Sequence, residues 1–463
     1  MEPTFGVYFA IALVGSVVLF ALTMATPVRH LLHSFSRNSF ATIGILGVFF
    51  LLFWPGSSTE VHKQGDSLDL IRILRVVFFL TLSAWCTFYL YRFRAWPRDT
   101  RLHWYVLYIA VCAFSVFYSP NRLETLWKTF ELVGLVLFAV VLRNKISKQQ
   151  LGTGFLMEMF SYLFFGICVF SMVGWLMFPD FAYAISEDGV ELNKDSAWGI
   201  FPRVNPNMLS QIGAMTAYVG FAYAMVRRRF GLRDLIFIIV GCAVLVMAHS
   251  RTSFLALALA VLLMPVLLGN KRILLIAITG FVLLVISSGS LLIEYLSRGQ
   301  SQDQILSLTG RVYMWAIAWK SFLAHLWLGL GFYAGHKTLT MEGVMMAYST
   351  VDNTYLESLV DVGLIGTFFL VSFMALTVAG CARMTRTCKV RGATELLTSI
   401  VSTGMIFIVL LRSFLGPSIQ FFHVNALLVL MIVLVIEDYA QGLRETKVAL
   451  QPDLPDGFAL KSG

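Results

Sequence analysis

Apolar runs of roughly 15 to 25 residues, separated by short polar stretches, recur along this chain from Thr4 to Glu437. Each is long enough for an α-helix rising about 1.5 Å per residue to cross a hydrocarbon layer about 30 Å thick. The runs do not alternate between apolar and polar positions, so the strands of a membrane barrel are not indicated. Helices follow from the solvent: lipid offers no partner to a free N–H or C=O, and each span must close its own hydrogen bonds. The pattern predicts spans over 4–24, 38–54, 70–91, 102–118, 123–142, 154–178, 207–226, 234–250, 252–268, 272–293, 356–382, 396–415 and 419–437. The expected fold class is all-α, a polytopic integral membrane helical bundle of about 12 to 13 transmembrane helices. One large loop carries an interfacial helix.

Composition agrees, since 58% of the 463 residues are hydrophobic and 13% are charged, which no water-soluble surface of this size could carry. The net charge of +9 raises nucleic acid as a partner, but its placement argues against that. Basic residues gather in every second loop, at Arg92 to Arg101, Arg143 to Lys148, Arg227 to Arg233, Lys271 and Arg272, and Arg383 to Arg391. These are the expected cytoplasmic loops. The alternate loops hold acids instead, with Asp180 to Asp195 in one and Asp303, Glu342 and Asp352 in another, and are expected outside.

The outer loop over 294–355 is the longest, and loops of more than about 15 residues in a compact protein carry function or are disordered. Its middle has helical periodicity: after Thr309-Gly310-Arg311, the residues Trp315, Trp319, Phe322, Leu323 and Leu326 form a stripe suited to a helix in the headgroup layer. The chain divides into N-terminal helices (1–200), a core that includes this loop (201–382), C-terminal helices (383–437) and a polar cytoplasmic tail (438–463). The acidic Glu2 and the missing cleavage site speak against a secretory signal, so the first helix is expected to remain in the mature protein. Cysteines 86, 112, 168 and 242 lie in predicted spans, and their spacing suggests neither a disulfide framework nor a metal site. Internal repeats and paired broken helices are not evident.

Charges at the mouths of spans need a reason, because charge near lipid is costly. Arg203, in Phe201-Pro202-Arg203-Val204-Asn205-Pro206, precedes the seventh span, and Arg251 sits at the hairpin between the eighth and ninth. Arg311 opens the interfacial helix, and Asp352 with Asn353 leads into the eleventh span. All four positions map to the outer side. Arginine suits a diphosphate, since its guanidinium stays protonated and offers paired donors to phosphate oxygens. An outer anchor or a capping ion pair is the plain alternative for each. Arg72, Arg75 and Arg412 are weaker candidates for the same role and read more readily as anchors or bundle glue. Asp352 reads either as a helix N-cap or as a general base that takes a proton from a sugar hydroxyl. Asn353, Glu357 and Asp361 recur every four residues and share one helical face, with Glu357 placed to orient an acceptor and Asp361 deeper and structural. Tyr355 is either a substrate contact or an aromatic-belt residue. His325 and His336 could serve as acid or base near neutral pH, but read more readily as solvated loop histidines. No zinc-protease helix, phosphate-cradling glycine loop or nucleophile elbow occurs.

Together, Ser250-Arg251-Thr252, Gly310-Arg311 with Trp315, Gly329-Leu330-Gly331-Phe332, and Asp352-Asn353-Thr354-Tyr355-Leu356-Glu357 leading to Gly363-Leu364-Ile365-Gly366 resemble the O-antigen ligase and polymerase superfamily. Order and spacing match from about Phe201 to Ala379. The resemblance implies a membrane glycosyltransferase, GT-C-like, of the bacterial inner membrane that moves a glycan from undecaprenyl diphosphate to an acceptor hydroxyl at the periplasmic face. It implies no cofactor and no metal. Arg251 and Arg311 would hold the diphosphate, with Arg203 as a further contact, and Asn353, Gly363 and Gly366 would match the ligase signature. The expected partners are the lipid-linked donor, a glycan or lipid acceptor, membrane lipids and other polysaccharide assembly proteins. Nucleic acid is not among them.

One position departs from the family. Asp352 stands where ligases carry the histidine credited with activating the acceptor, which shifts the expectation from a lipid A core ligase toward a polymerase of O-antigen or exopolysaccharide repeats. Two alternatives belong to other classes. An anion transporter or flippase would place its charges near the midplane at broken helices, and a non-catalytic assembly subunit would explain the missing histidine.

Overall fold

The computed structural model describes residues 70–93, 96, 100–148, 154–179, 196–199, 204–287, 311–341, 344–347, 351–389, 392–416, 418–421 and 423–449. The predicted spans over 4–24 and 38–54, and Arg203, lie outside these residues. Along the described chain run α1 (Leu70–Phe93), α2 (Thr100–Phe114), α3 (Arg122–Lys148), α4 (Phe155–Met177), α5 (Pro206–Arg227), α6 (Leu232–Met247), α7 (Arg251–Leu268) and α8 (Lys271–Ser287). There follow α9 (Arg311–Ala324), α10 (Thr354–Cys388), α11 (Ala393–Ser413) and α12 (Val424–Ala449). Each of the eleven predicted spans from 70 onward thus corresponds to a helix, and α9 is the helix expected in the long loop. Among the described residues nine helices are long and apolar enough to cross a membrane. The other two, α6 and α8, have 16 and 17 residues. The protein is a polytopic helical membrane protein.

The bundle centres on α5, which starts where local chemistry dictates: Asn205 accepts from the Met208 N–H at 2.8 Å as N-cap, and Pro206 occupies the first turn, where a missing N–H costs nothing. Its small residues allow close packing. Gly213 and Ala217 lie against Gly241 of α6 so tightly that a Cβ on Gly241 would collide with α5 backbone. Between helices in lipid, contact of this kind and polar pairs replace the hydrophobic drive available in water. One such pair joins α5 to α12, where the side-chain amides of Gln211 and Asn425 bond each other at 3.0 and 3.3 Å.

Helix ends expected on one side of the membrane meet at one end of the bundle. Tyr118, after α2, donates to the Leu328 carbonyl at 2.6 Å, and Thr354 at the start of α10 donates to Gly416 after α11 at 2.9 Å. At the other end Arg143 pairs with Asp438, and Gly154 packs on Thr398. The alternation read from basic loops is therefore geometrically consistent.

Two expectations need correction. The long loop contains a short antiparallel hairpin, β1 (Thr340–Met341) with β2 (Val344–Ala347), which the sequence pattern did not suggest. More consequentially, the span predicted as continuous over 356–382 is broken at Gly363, whose φ of 65° and ψ of −165° are non-helical. The segment after α9 fills this break. Leu330 and Gly331 donate to the carbonyls of Val360 and Asp361, both at 2.8 Å, while the N–H groups of Leu364 and Ile365 donate to Leu326 and Trp327 at 2.9 and 3.3 Å. Backbone groups released by the break are thereby satisfied from a second stretch of chain, the condition under which non-helical backbone survives at membrane depth. Gly329 and Gly331 adopt φ of 68° and 118°, and any side chain at Gly363 would collide with the Trp327 carbonyl. Gly363→Ala therefore combines a disfavoured backbone conformation with a backbone clash. It is expected to lower stability by at least about 3 kcal/mol, read as a fall in thermal unfolding temperature in detergent.

Candidate functional site

The docked segment positions everything near it. Residues 326–337 are clamped between α10 and the turn joining α2 to α3: the Phe332 N–H donates to Ser115 Oγ at 2.9 Å, Thr125 Oγ1 donates to the Phe332 carbonyl at 2.8 Å, and Lys337 pairs with Glu124. Upstream, α9 packs Met314, Ala318 and Phe322 inward, in a cluster of Ala318 and Phe322 with Leu339, Val351 and Val360. The Trp315 indole donates to the Val351 carbonyl at 3.1 Å. The predicted single stripe thus divides. Phe322 faces protein, Trp315 ties α9 to Val351 just ahead of α10, and Trp319 and Leu323 remain exposed.

This packing brings the first residue of α9 to the threshold of α10. Arg311 Nε donates to Asp352 Oδ2 at 3.0 Å, with both side chains partly open to solvent at 26% and 36% exposure. Asp352 has a φ of 53°, in the left-handed region that aspartate tolerates better than most residues. The cap of α10 belongs to its neighbour. Asn353 Oδ1 accepts from the Tyr355 and Leu356 N–H groups at 3.0 and 3.1 Å, so the N-cap alternative for Asp352 is set aside. Arg251, the first residue of α7, lies within electrostatic reach of Arg311. Arg412, near the end of α11 and 7% exposed, feels the charges of both Asp352 and Arg311. His423, beside Arg412, is pushed down to about 4 by burial and by the Arg412 charge. Three arginines from three helices and one aspartate therefore share one end of the bundle. Tyr355 packs its ring on Phe414 at 4.8 Å.

Glu357 lies one turn further along α10, fully enclosed. Its Oε2 accepts from Gln420 at 2.9 Å, and its Oε1 stands 3.1 Å from His336 Nε2. On the other side of the same imidazole, Nδ1 lies 3.0 and 3.1 Å from the two Asp361 oxygens. Asp361 also accepts from the backbone N–H groups of Tyr333 and His336 at 2.9 and 2.8 Å. The shared helical face predicted for Glu357 and Asp361 is present, and a histidine bridges it. His336 is 2% exposed, which corrects its reading as a solvated loop histidine. The overlooked signal was physical: two carboxylates on one face of a span require a cationic partner. Glu357 is thus embedded in this cluster rather than open to an acceptor.

Burial alone would lower the His336 pKa, but the Asp361 and Glu357 carboxylates outweigh it and raise it to about 9. The folded value lies above the ordinary one near 6.5, so the cluster's contribution to stability is fully present below about pH 6.5 and is lost as pH rises through about 9. Thermal unfolding temperature is expected to fall between pH 6.5 and 9.5, and His336→Asn is expected to flatten that dependence. An equal slope in the variant refutes the assignment.

A cavity of about 280 Å³ lies at the opposite end of the bundle, among Gly154, Glu158, Tyr223 and Thr398, and contains none of the arginines. No curated protein matches the chain. Residues 235–371, which contain Arg251, Arg311, the docked glycine segment, Asp352 and the break at Gly363, match the family model for O-antigen ligase. Over that stretch, and not over the chain as a whole, the protein is similar to the O-antigen ligase family.

Proposed function

We propose that this protein transfers a glycan from undecaprenyl diphosphate to an acceptor hydroxyl at the outer face of the bacterial inner membrane, in chain extension of O-antigen or exopolysaccharide repeats. The observation that carries the reading is the Arg311–Asp352 pair at 3.0 Å with Arg251 in electrostatic reach, inside the matched domain. Asp352 takes the proton of the acceptor hydroxyl as that oxygen bonds to the anomeric carbon. The bond between that carbon and the phosphate oxygen breaks, and its electron pair leaves with undecaprenyl diphosphate. Arg251 and Arg311 stabilise the charge that grows there, with Arg203 as a further phosphate contact. A single displacement of this kind inverts the anomeric configuration. Asn353 and Tyr355 shape the approach to Asp352, and the exposed Trp319 and Leu323 of α9 touch membrane lipid.

The break at Gly363 favours a second reading, anion transport, because broken helices mark transport sites. Against it, the backbone groups at the break are taken by residues 326–331, and the arginines sit at helix ends rather than at the break.

Purified protein supplied with an undecaprenyl-diphosphate-linked glycan tests the proposal, scored for chain extension against capture by lipid A core. Asp352→Asn is expected to slow turnover about 10²- to 10⁴-fold and Arg311→Ala about 10²- to 10³-fold. Full turnover in both variants would remove these residues from the chemistry. For orientation, a reporter fused at Gly463 is expected on the cytoplasmic side, and periplasmic reporter activity would invert every loop assignment.

A further inference from the structure

Arg412, at the same end of the bundle, is buried without an ion pair among the described residues. It is 7% exposed, and its Nη1 donates to the Leu415 carbonyl. Its Nε is buried and, among the described residues, has no hydrogen-bond partner. No carboxylate among those residues lies within ion-pairing distance of its guanidinium. Gly416 packs directly on the guanidinium, where any side chain would collide with it. That same Gly416 carbonyl accepts from Thr354, two residues beyond Asp352, and the Phe414 ring meets Tyr355, so the loop holding Arg412 is fastened to the threshold of α10.

A buried guanidinium without a carboxylate is costly, and proteins retain such a group where an anion completes it. Arg251 and Arg412 each lie within electrostatic reach of Arg311, so guanidinium groups from three helices gather where an anion can bridge them. A diphosphate carries negative charge on two phosphoryl groups, and its oxygens match paired N–H donors.

We propose that Arg412 is a phosphate-binding residue of this site, one that lets it prefer a diphosphate over a monophosphate headgroup by engaging the second phosphoryl group. The proposal rests on the donor site described under Proposed function. Beside Arg251 and Arg311, the buried guanidinium of Arg412 supplies further donors, with its Nε free of any partner among the described residues.

The full-length protein in nanodiscs, titrated with farnesyl diphosphate and farnesyl monophosphate and followed by thermal unfolding, tests this. The wild type is expected to be stabilised more by the diphosphate, as ligands that bind only the folded state must do. Arg412→Met is expected to unfold, without ligand, at an unchanged or higher temperature, because an uncompensated buried charge has been removed. Its affinity for the diphosphate is expected to fall about tenfold or more, while its affinity for the monophosphate changes little. Unchanged diphosphate affinity in Arg412→Met, or equal loss toward both headgroups, overturns the proposal. Should Arg412→Met fail to fold, the diphosphate-to-monophosphate preference of Arg412→Lys decides, and an unchanged preference overturns it. A wild type that binds neither compound sinks the donor site itself, an outcome distinct from failure at Arg412.

Discussion

The architecture of this end of the protein depends on one exchange of backbone hydrogen bonds, in which residues 326–331 dock into the break of α10 at Gly363. A helix interrupted in lipid exposes polar groups that water cannot reach, each costing several kcal/mol if left alone. The docked segment satisfies them, and in doing so fixes where α9 ends and where His336 begins. Arg311 reaches Asp352 because α9 is anchored at both ends, by Trp315 on Val351 and by the docked glycines. The two glycine motifs that looked like separate features along the chain are therefore two halves of one joint. Their conformations, with positive φ at Gly329, Gly331 and Gly363, explain why side chains are excluded there.

Beneath the joint, charge is arranged in two layers of different character. The His336, Glu357 and Asp361 cluster is enclosed and internally paired, with Gln420 completing it, so its strength goes into holding the loop against α10. Removing one member of such a cluster leaves a buried charge unpaired, a loss of about 3 to 5 kcal/mol. The layer of Arg251, Arg311, Arg412 and Asp352 is different. It includes a partly open ion pair and carries more positive than negative charge among the described residues. An enclosed, internally paired cluster suits stability, whereas a partly open one that gathers arginines suits an anionic ligand.

Much of this was legible in the chain. Helices from 70 onward follow from the lengths of the apolar runs, and their alternation follows from Arg and Lys in every second loop. The approach of Arg251, Arg311 and Asp352 was expected from their places at the outer ends of spans. His336 was not, because a histidine in a loop looks solvated until the carboxylates two turns along a neighbouring helix are seen to need it. Arg412 is only a weak candidate in the sequence, where anchor or bundle glue is the plainer reading, since its distance from Asp352 along the chain hides the contact made through Gly416 and Thr354. The stripe on α9 was read as one surface, although its Phe322 and its Trp319 face opposite environments.

By itself, the sequence determined that this chain is a helical membrane bundle and which loops share a side, because burying backbone in lipid leaves few options and basic residues are sorted by side. It also determined that Asn353 could cap a helix and that Pro206 could begin one, both local matters of φ and hydrogen-bonding capacity. Only the tertiary structure decided that α10 breaks at Gly363, that Glu357 is enclosed, and that His336 bridges two acids. Each of those depends on a partner hundreds of atoms away along the chain, and a residue's pattern in sequence carries no record of which distant backbone will fill a gap beside it.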